Sequence, residues 1–488
     1  MQRQSVIQGT TYLLIAQIIF LLSGYVVHIG LGRTLGPASY GIYTVVISIA
    51  TVINLFLTTG IPQATSKYIS ENPIQAKRVL RSSLKISVLF SLALSGVVIA
   101  SADGIAYLLQ DQSLAFYIPI VALMIVATGP RTVTVAYFNG IGDYKVQSIL
   151  VGLYNVLKPV LILLLVFLGF STFGAIVGFA LSPVIPLIIG LFLVGRYTVI
   201  KSEHFPIQTI LLFAAPIIVL SATINLILNL DLFFVKGILI DNVFTGYYSA
   251  SAQIAKIPYF LMAAVTAALF PAVSASMHEH ERVQNYISES LRYALLFILP
   301  GTAMVAATST AAVTLIYSDI YQPAGAPLTV LIVGMCLFGI FALLTTIVSA
   351  VSRPGVAMAM GIGVLAVDFA LNWLMVPAFG MVGAAGATTL SCTFGLGIAA
   401  AHVYWRYQVL MPVASAAKIL AASLLVFIAL YSVPVSGPML LVAYGAAGVG
   451  YFLVLYLMDE IQERDIERLR RLIPGRGITV ETDLTRRD

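Results

Sequence analysis

"LGRTLGPASYGIYTV", residues 31–45, separates two long apolar stretches with Arg33, Gly36, Pro37 and Ser39. Glycine tolerates backbone angles closed to other residues and proline fixes its own, so Gly36-Pro37 marks a turn. The stretch therefore reads as the joint between two membrane-crossing helices, 9–32 and 41–60. Composition agrees: of 488 residues, 60% are hydrophobic and 9% charged, with a mean hydropathy of +1.00. A soluble domain is about one quarter charged. Apolar segments of about 20 residues, the length that crosses a bilayer, recur as far as residue 457. The fold class expected is all-α integral membrane, with 14 transmembrane helices, the last two at 414–433 and 437–457. Loops this short leave function inside the bilayer. The first segment runs to spanning length without a small-residue cleavage pattern, so it reads as a membrane helix and not as a signal peptide.

The charges report topology. With the N-terminus in the cytoplasm, the cytoplasmic segments carry Arg3, Lys67, Lys77, Arg78, Arg81, Lys85, Lys145, Arg196, Lys201, Arg282, Arg292, Arg353, Arg406 and Lys418. The external loops carry only Arg33 and Lys236, together with Asp103, Asp111, Asp241 and Asp319. Basic residues gather on the cytoplasmic side of membrane proteins. The net charge of +6 thus belongs to orientation in the cell membrane, with both termini cytoplasmic, and needs no nucleic-acid partner. Cys336 and Cys392 fall in apolar segments and read as small core residues.

The chain also repeats itself. "SYGIYTVVI" (39–47) resembles "FTGYYSASA" (244–252), aligning Gly41 with Gly246 and Tyr43 with Tyr248. The helices they open end in "IPQATS" at Pro62 and "FPAVSA" at Pro271, and "FGAIVGFALS" from Phe173 matches "VGAAGATTLS" from Val382. A six-helix unit is even, so both copies share one orientation. Two pseudo-symmetric six-helix lobes about an axis along the membrane normal are expected, with a site in the cleft between them. The lobes are 1–208 and 209–412. Two extra helices occupy 413–458 and a cytoplasmic tail 459–488, where Ile466, Leu469 and Ile473 form one stripe of an amphipathic helix.

These motifs carry a family resemblance. "GRTLGPASYGIYTV", "IPQATSKYI", Asp231 followed by "GYYSA", and "NWLMVPAFGMVGAAGATTLS" resemble, in order and over nearly the whole chain, the polysaccharide (Wzx-type) branch of the multidrug/oligosaccharidyl-lipid/polysaccharide exporter superfamily. The resemblance implies a flippase. Such a protein moves a glycan, linked through phosphate or pyrophosphate to a polyprenyl lipid, from the cytoplasmic to the external leaflet by alternating access of a V-shaped cavity, for assembly of surface polysaccharide or glycoprotein glycans. Its partners are then that lipid-linked glycan, membrane lipid and glycan-assembly proteins. An exporter of small amphiphilic cations would need an acid-dominated cavity. A membrane polymerase or ligase would need a sizeable external loop.

Ionisable side chains inside membrane helices are costly and usually face a wet cavity or a partner. Arg131, Lys158 and Lys256 are cations within expected spans, and the resemblance implies a cationic cavity, so they are the candidates for substrate phosphate. Arginine would offer a fork and lysine a point charge. Each could instead pair structurally, Lys158 with the carbonyl that Pro159 frees one turn back. Asp231 and Asp368, the latter sharing a helix face with Asn372, could bind a coupling proton or Na⁺ or neutralise a lysine. Tyr25, His28 and Asn54 could bond sugar hydroxyls or pack helices. Arg33 could close an external gate with Asp241. The five histidines form no metal-ligand set. No phosphate-binding loop ending in Gly-Lys-Ser/Thr occurs, so neither ATP nor a cofactor is expected and the chain reads as a non-enzyme.

Overall fold

A 53-residue helix, α1 (Val6–Thr58), opens the computed structural model, which describes residues 6–195, 205–276, 279–350 and 354–461. Straight, it would measure about 80 Å at 1.5 Å per residue. It bends within the opening motif, at Gly36 with φ 73°, directly before Pro37. The expected turn is thus a bend between two arms. The same device joins α5 (Tyr144–Leu165) to α6 (Ser171–Leu181) at Gly169, φ 94°, and divides α15 (Pro354–Tyr407) at Gly380, φ 59°.

The remaining helices are α2 (Ile61–Glu71), α3 (Ala76–Leu108), α4 (Ser113–Gly140), α7 (Val184–Gly195), α8 (Ile207–Ile227), α9 (Leu230–Leu239), α10 (Asn242–Ala255) and α11 (Ile257–Ala275). There follow α12 (His280–Ala307), α13 (Ser309–Ile316), α14 (Gly325–Ala350), α16 (Val413–Ser432) and α17 (Met439–Leu457). No strand occurs among the described residues. Helices satisfy their own backbone groups, which a bilayer cannot do for them.

Ten helical runs among the described residues are long and apolar enough to cross a membrane, where the sequence gives fourteen separate spans. Three expected pairs run on through bends. The expected span around 246–272 is broken at Lys256, because Pro258 lacks an N–H and its ring crowds the carbonyl four residues back. The chain is a multi-pass helical membrane protein.

Two sets of helices pack internally. α1 packs on α4, α5 and α6, with α3 and α2 against α4; α14 packs on α10, α11, α12 and α15, with α15 also on α8 and α9. The sets meet mainly where α1 crosses α10, and where α8 lies on α1 and α2. At that crossing the repeated motifs touch each other. A Cβ on Gly41 would lie 2.2 Å from the Asn242 carbonyl oxygen, and one on Gly246 would lie 2.0 Å from that of Pro37. The Thr44 and Ser249 hydroxyls are hydrogen-bonded at 2.7 Å. Each of these pairs, 37 with 242, 41 with 246 and 44 with 249, is 205 positions apart, so the contact maps onto itself under the exchange of the two repeats. The sequence repeat is a contact surface.

α16 and α17 cover α12 through Leu296, Ile419, Ala422, Tyr451 and Leu455. Arg292 reaches across to the Glu460 carboxylate at 2.8 Å, and Ser415 bonds the same carboxylate. The expected amphipathic stripe of Ile466, Leu469 and Ile473 lies outside the described residues.

Candidate functional site

Between the two sets of helices lies a cavity of about 1120 Å³. Tyr25, His28, Asn54, Arg131, Lys158 and Lys256 all line it, from α1, α4, α5 and the α10 to α11 junction. No Asp or Glu does. The cations are built in from different local causes. Arg131 follows Pro130 in α4 and is buried, with its guanidinium 4.2 Å from the centre of the Tyr154 ring. Its Nε is buried without a hydrogen-bond partner. Lys158 sits four residues after Tyr154 on α5, its ammonium 5.9 Å from that ring and 5.8 Å from Phe20. Lys256 is buried where Pro258 interrupts the helix. Among the described residues none of the three forms an ion pair. Among the described residues the Lys158 ammonium has no acid within ion-pair distance.

Sequence reading did not name Tyr154, although i, i+4 spacing to Lys158 placed it on the same face. It also passed over the carboxamides of Asn139, Gln147, Asn155 and Gln253, which line the cavity. The Asn54 and Asn155 side-chain oxygens are buried without a donor. At one end Ser66 donates to Asn139 at 2.6 Å and Asn139 to Gln147 at 3.0 Å, beside Lys67. Cations, unpaired amide acceptors and rings together suit an anionic group attached to a hydroxyl-rich body.

Asp231 and Asp368 do not line this cavity. They belong to a second, buried group. Tyr248 donates to Asp231 at 2.6 Å; Asn372 and Ser391 donate to one oxygen of Asp368 at 3.1 and 3.0 Å. The other Asp368 oxygen, the Asn372 oxygen and the Thr388 hydroxyl are buried without hydrogen-bond partners. The shared face of Asp368 and Asn372 read from the sequence is thus a direct contact.

The expected pairing of Arg33 with Asp241 does not occur. Arg33 instead donates to the carbonyls of Leu315 and Ile316, at 2.6 and 2.8 Å, at the end of α13. The last carbonyls of a helix lack internal partners and carry the negative end of its dipole, so a guanidinium fork fits them. Asp241 caps α10 by accepting from the Val243 N–H at 2.7 Å. The charge pair at this end of the bundle is a different one. Lys236, fully buried in α9, donates to Asp111, in the turn before α4, at 2.6 Å, and also to Asn242. Burial opposes ionisation of Asp111, but bonds from Lys236, Ser113 and Asn242 and the lysine's charge outweigh it and hold the carboxyl below its ordinary value.

A family described as polysaccharide biosynthesis protein matches residues 6–277. The putative O-antigen transporter of Shigella flexneri is 23% identical over 379 residues, covering 73% of this chain and 87% of that protein. The probable low-salt glycan biosynthesis flippase Agl15 of Haloferax volcanii is 25% identical over 157 residues, which span 32% of this chain and only 33% of that relative's length. Among solved structures, the lipid II flippase MurJ in its inward closed conformation is similar with a TM-score of 0.78 over 95% of this chain and 100% of its own, at 16% identity. An inward-facing multidrug resistance MATE transporter of the MOP superfamily gives 0.64 over 81% and 98%, at 14% identity. At such identities the structural likeness speaks for the fold alone. The match over residues 6–277, more than half of the sequence, places the chain in the polysaccharide biosynthesis protein family.

Proposed function

We propose that this protein is a flippase for a glycan carried on a polyprenyl phosphate or diphosphate, and that Arg131, Lys158 and Lys256 bind the phosphate. The observation that carries this reading is the sign of the cavity: among the described residues its cations, Arg131 and Lys256 buried and Lys158 half-buried, form no ion pair, and no carboxylate lines it. A carrier of cations would need the opposite sign. The names of the two relatives and of the MurJ structure support the same substrate class. In this reading the lobes are 1–208 and 209–412, with helices 413–458 beside them. The basic end near Lys67 faces the cytoplasm of the cell membrane, and so do both termini. The cavity reaches Lys67, while the end held by Arg33 and Lys236 is shut, so the conformation is inward-facing. Tyr25, Asn54 and the other carboxamides would take the sugar hydroxyls.

The test is binding of a polyprenyl diphosphate-linked disaccharide to the purified protein against the corresponding polyprenol. Charged hydrogen bonds contribute about 1.5–3 kcal/mol each. Arg131→Ala and Lys256→Ala should each weaken the phosphorylated lipid about 10- to 100-fold and leave the polyprenol unaffected. Equal affinity of the wild type for both lipids would remove the phosphate assignment.

Asp231 and Asp368 are proposed as the coupling group, holding a monovalent cation or a proton. Its support is three buried oxygens without donors around Asp368. Transport by Asp368→Asn should lose its dependence on either a Na⁺ or a proton gradient, whichever drives the wild type. Unaltered gradient dependence in this variant would exclude the group from coupling.

A further inference from the structure

Three side chains form a hydrogen-bonded string from the cavity into the shut end of the bundle. His28 lines the cavity, and its Nδ1 lies 3.0 Å from the Tyr40 hydroxyl, beyond the Gly36 bend of α1. The Tyr40 hydroxyl lies 3.4 Å from that of Tyr317, in the other half of the molecule at the end of α13. Both tyrosines are buried, Tyr40 at 0% and Tyr317 at 1% exposure. The surrounding closure is continuous: Arg33 grips the carbonyls just before Tyr317, and Tyr321, its ring tilted against that of Tyr317 with centroids 5.1 Å apart, donates to the Gly32 carbonyl at 3.0 Å.

Lys158 from α5 and Lys256 from the α10 to α11 junction line the same cavity as the imidazole. The titratable groups beside it are Tyr40 and Tyr43, with Tyr43 in turn facing Tyr154. These are the same lysines that the flippase reading assigns to phosphate, and the inference rests on that reading. A further positive charge is disfavoured beside two ammonium groups and favoured once a phosphate anion joins them.

We propose that His28 takes up a proton when the phosphate headgroup binds, and that the string through Tyr40 to Tyr317 passes this event to the closure. With a neutral imidazole in its Nε2–H form the string is satisfied throughout: Tyr317 donates to Tyr40, and Tyr40 donates to Nδ1. An imidazolium has no acceptor. Its Nδ1–H must donate to the Tyr40 oxygen, Tyr40 must donate to Tyr317, and the Tyr317 proton is left without an acceptor among the described residues. The proton comes from water in the open cavity and returns to water when His28 deprotonates. A buried donor left unpaired destabilises the state that contains it, so the shut end loosens only when the cavity is loaded. His28 and Tyr40 are positioning residues for opening.

The experiment uses the full chain in nanodiscs with a polyprenyl diphosphate-linked disaccharide as the probe. Two readouts are taken: proton uptake per bound lipid in weak buffer, and maleimide labelling of Ser318→Cys, beside Tyr317, the native cysteines being buried. The wild-type string should take up about one proton per lipid and label about tenfold faster when loaded. His28→Gln should take up none per bound lipid. Tyr40→Phe should keep the proton uptake and lose the labelling response. Wild-type binding without proton uptake, or a normal labelling response in Tyr40→Phe, overturns the proposal alone. Failure of the wild type to bind the phosphorylated lipid would instead overturn the flippase reading beneath it.

Discussion

Gly246→Val is expected to force apart the crossing of α1 and α10 and to move the protein out of the conformation in which the end held by Arg33 and Lys236 is shut. A Cβ at this position meets the Pro37 carbonyl oxygen at 2.0 Å, and that obstacle is backbone, which has no rotamer to turn away. Overpacking of this kind costs about 1–3 kcal/mol, and each 1.4 kcal/mol changes a conformational equilibrium about tenfold. Because the contact maps onto itself, Gly41→Val should act alike, through the Asn242 carbonyl at 2.2 Å. Gly24→Ala is the control, since nothing lies within 4 Å of its added Cβ. Cysteine accessibility of the cavity from the two sides of the membrane measures the shift. Equal accessibility patterns in Gly246→Val and Gly24→Ala would show that the crossing does not hold the shut end.

Asp111→Ala should be the most destabilising charge substitution outside the cavity. It leaves Lys236, which has no exposed surface, buried without its counter-ion. Breaking a buried pair by removing one partner costs about 3–5 kcal/mol, whereas replacing both by apolar groups is often close to neutral. The double variant Asp111→Leu/Lys236→Met should therefore recover most of the stability lost in the single one, as read by thermal unfolding in detergent. The pH dependence has a fixed sign. A carboxyl whose folded value is lowered contributes stability above its ordinary value and loses it as pH falls through the lowered one. Wild-type closure should thus weaken only on acidification below the ordinary carboxylate range, and Asp111→Leu/Lys236→Met should not share that loss. A double variant no more stable than Asp111→Ala would mean that Lys236 is not the strained partner.

The repeat around Gly41 and Gly246 is legible because a close backbone approach requires glycine at both members of a symmetric contact, and both are written in the chain. The cavity cations are legible for a related reason: a charge inside an apolar span needs a cause, and Arg131, Lys158 and Lys256 share one. Arg33 is different. Its partner, the end of α13, is some 280 residues away, offers only backbone carbonyls, and is chosen by how the two halves close, which no local pattern encodes. Lys236 and Asp111 look like two loop charges for the same reason. Three glycine bends join six of the fourteen expected spans into three runs, because such a bend leaves helical backbone on both sides whereas an apolar pattern separates the arms, and the break at Lys256 removes one more, which leaves ten.

The most direct measurement is transport in proteoliposomes of a fluorescent polyprenyl diphosphate-linked oligosaccharide, followed by quenching with an impermeant reagent on one side. The wild type should move this lipid across the bilayer and should not move the uncharged polyprenyl glycoside, and Arg131→Ala/Lys256→Ala should move neither while still folded. Transport of the charged lipid by the double variant at the wild-type rate would overturn the phosphate assignment.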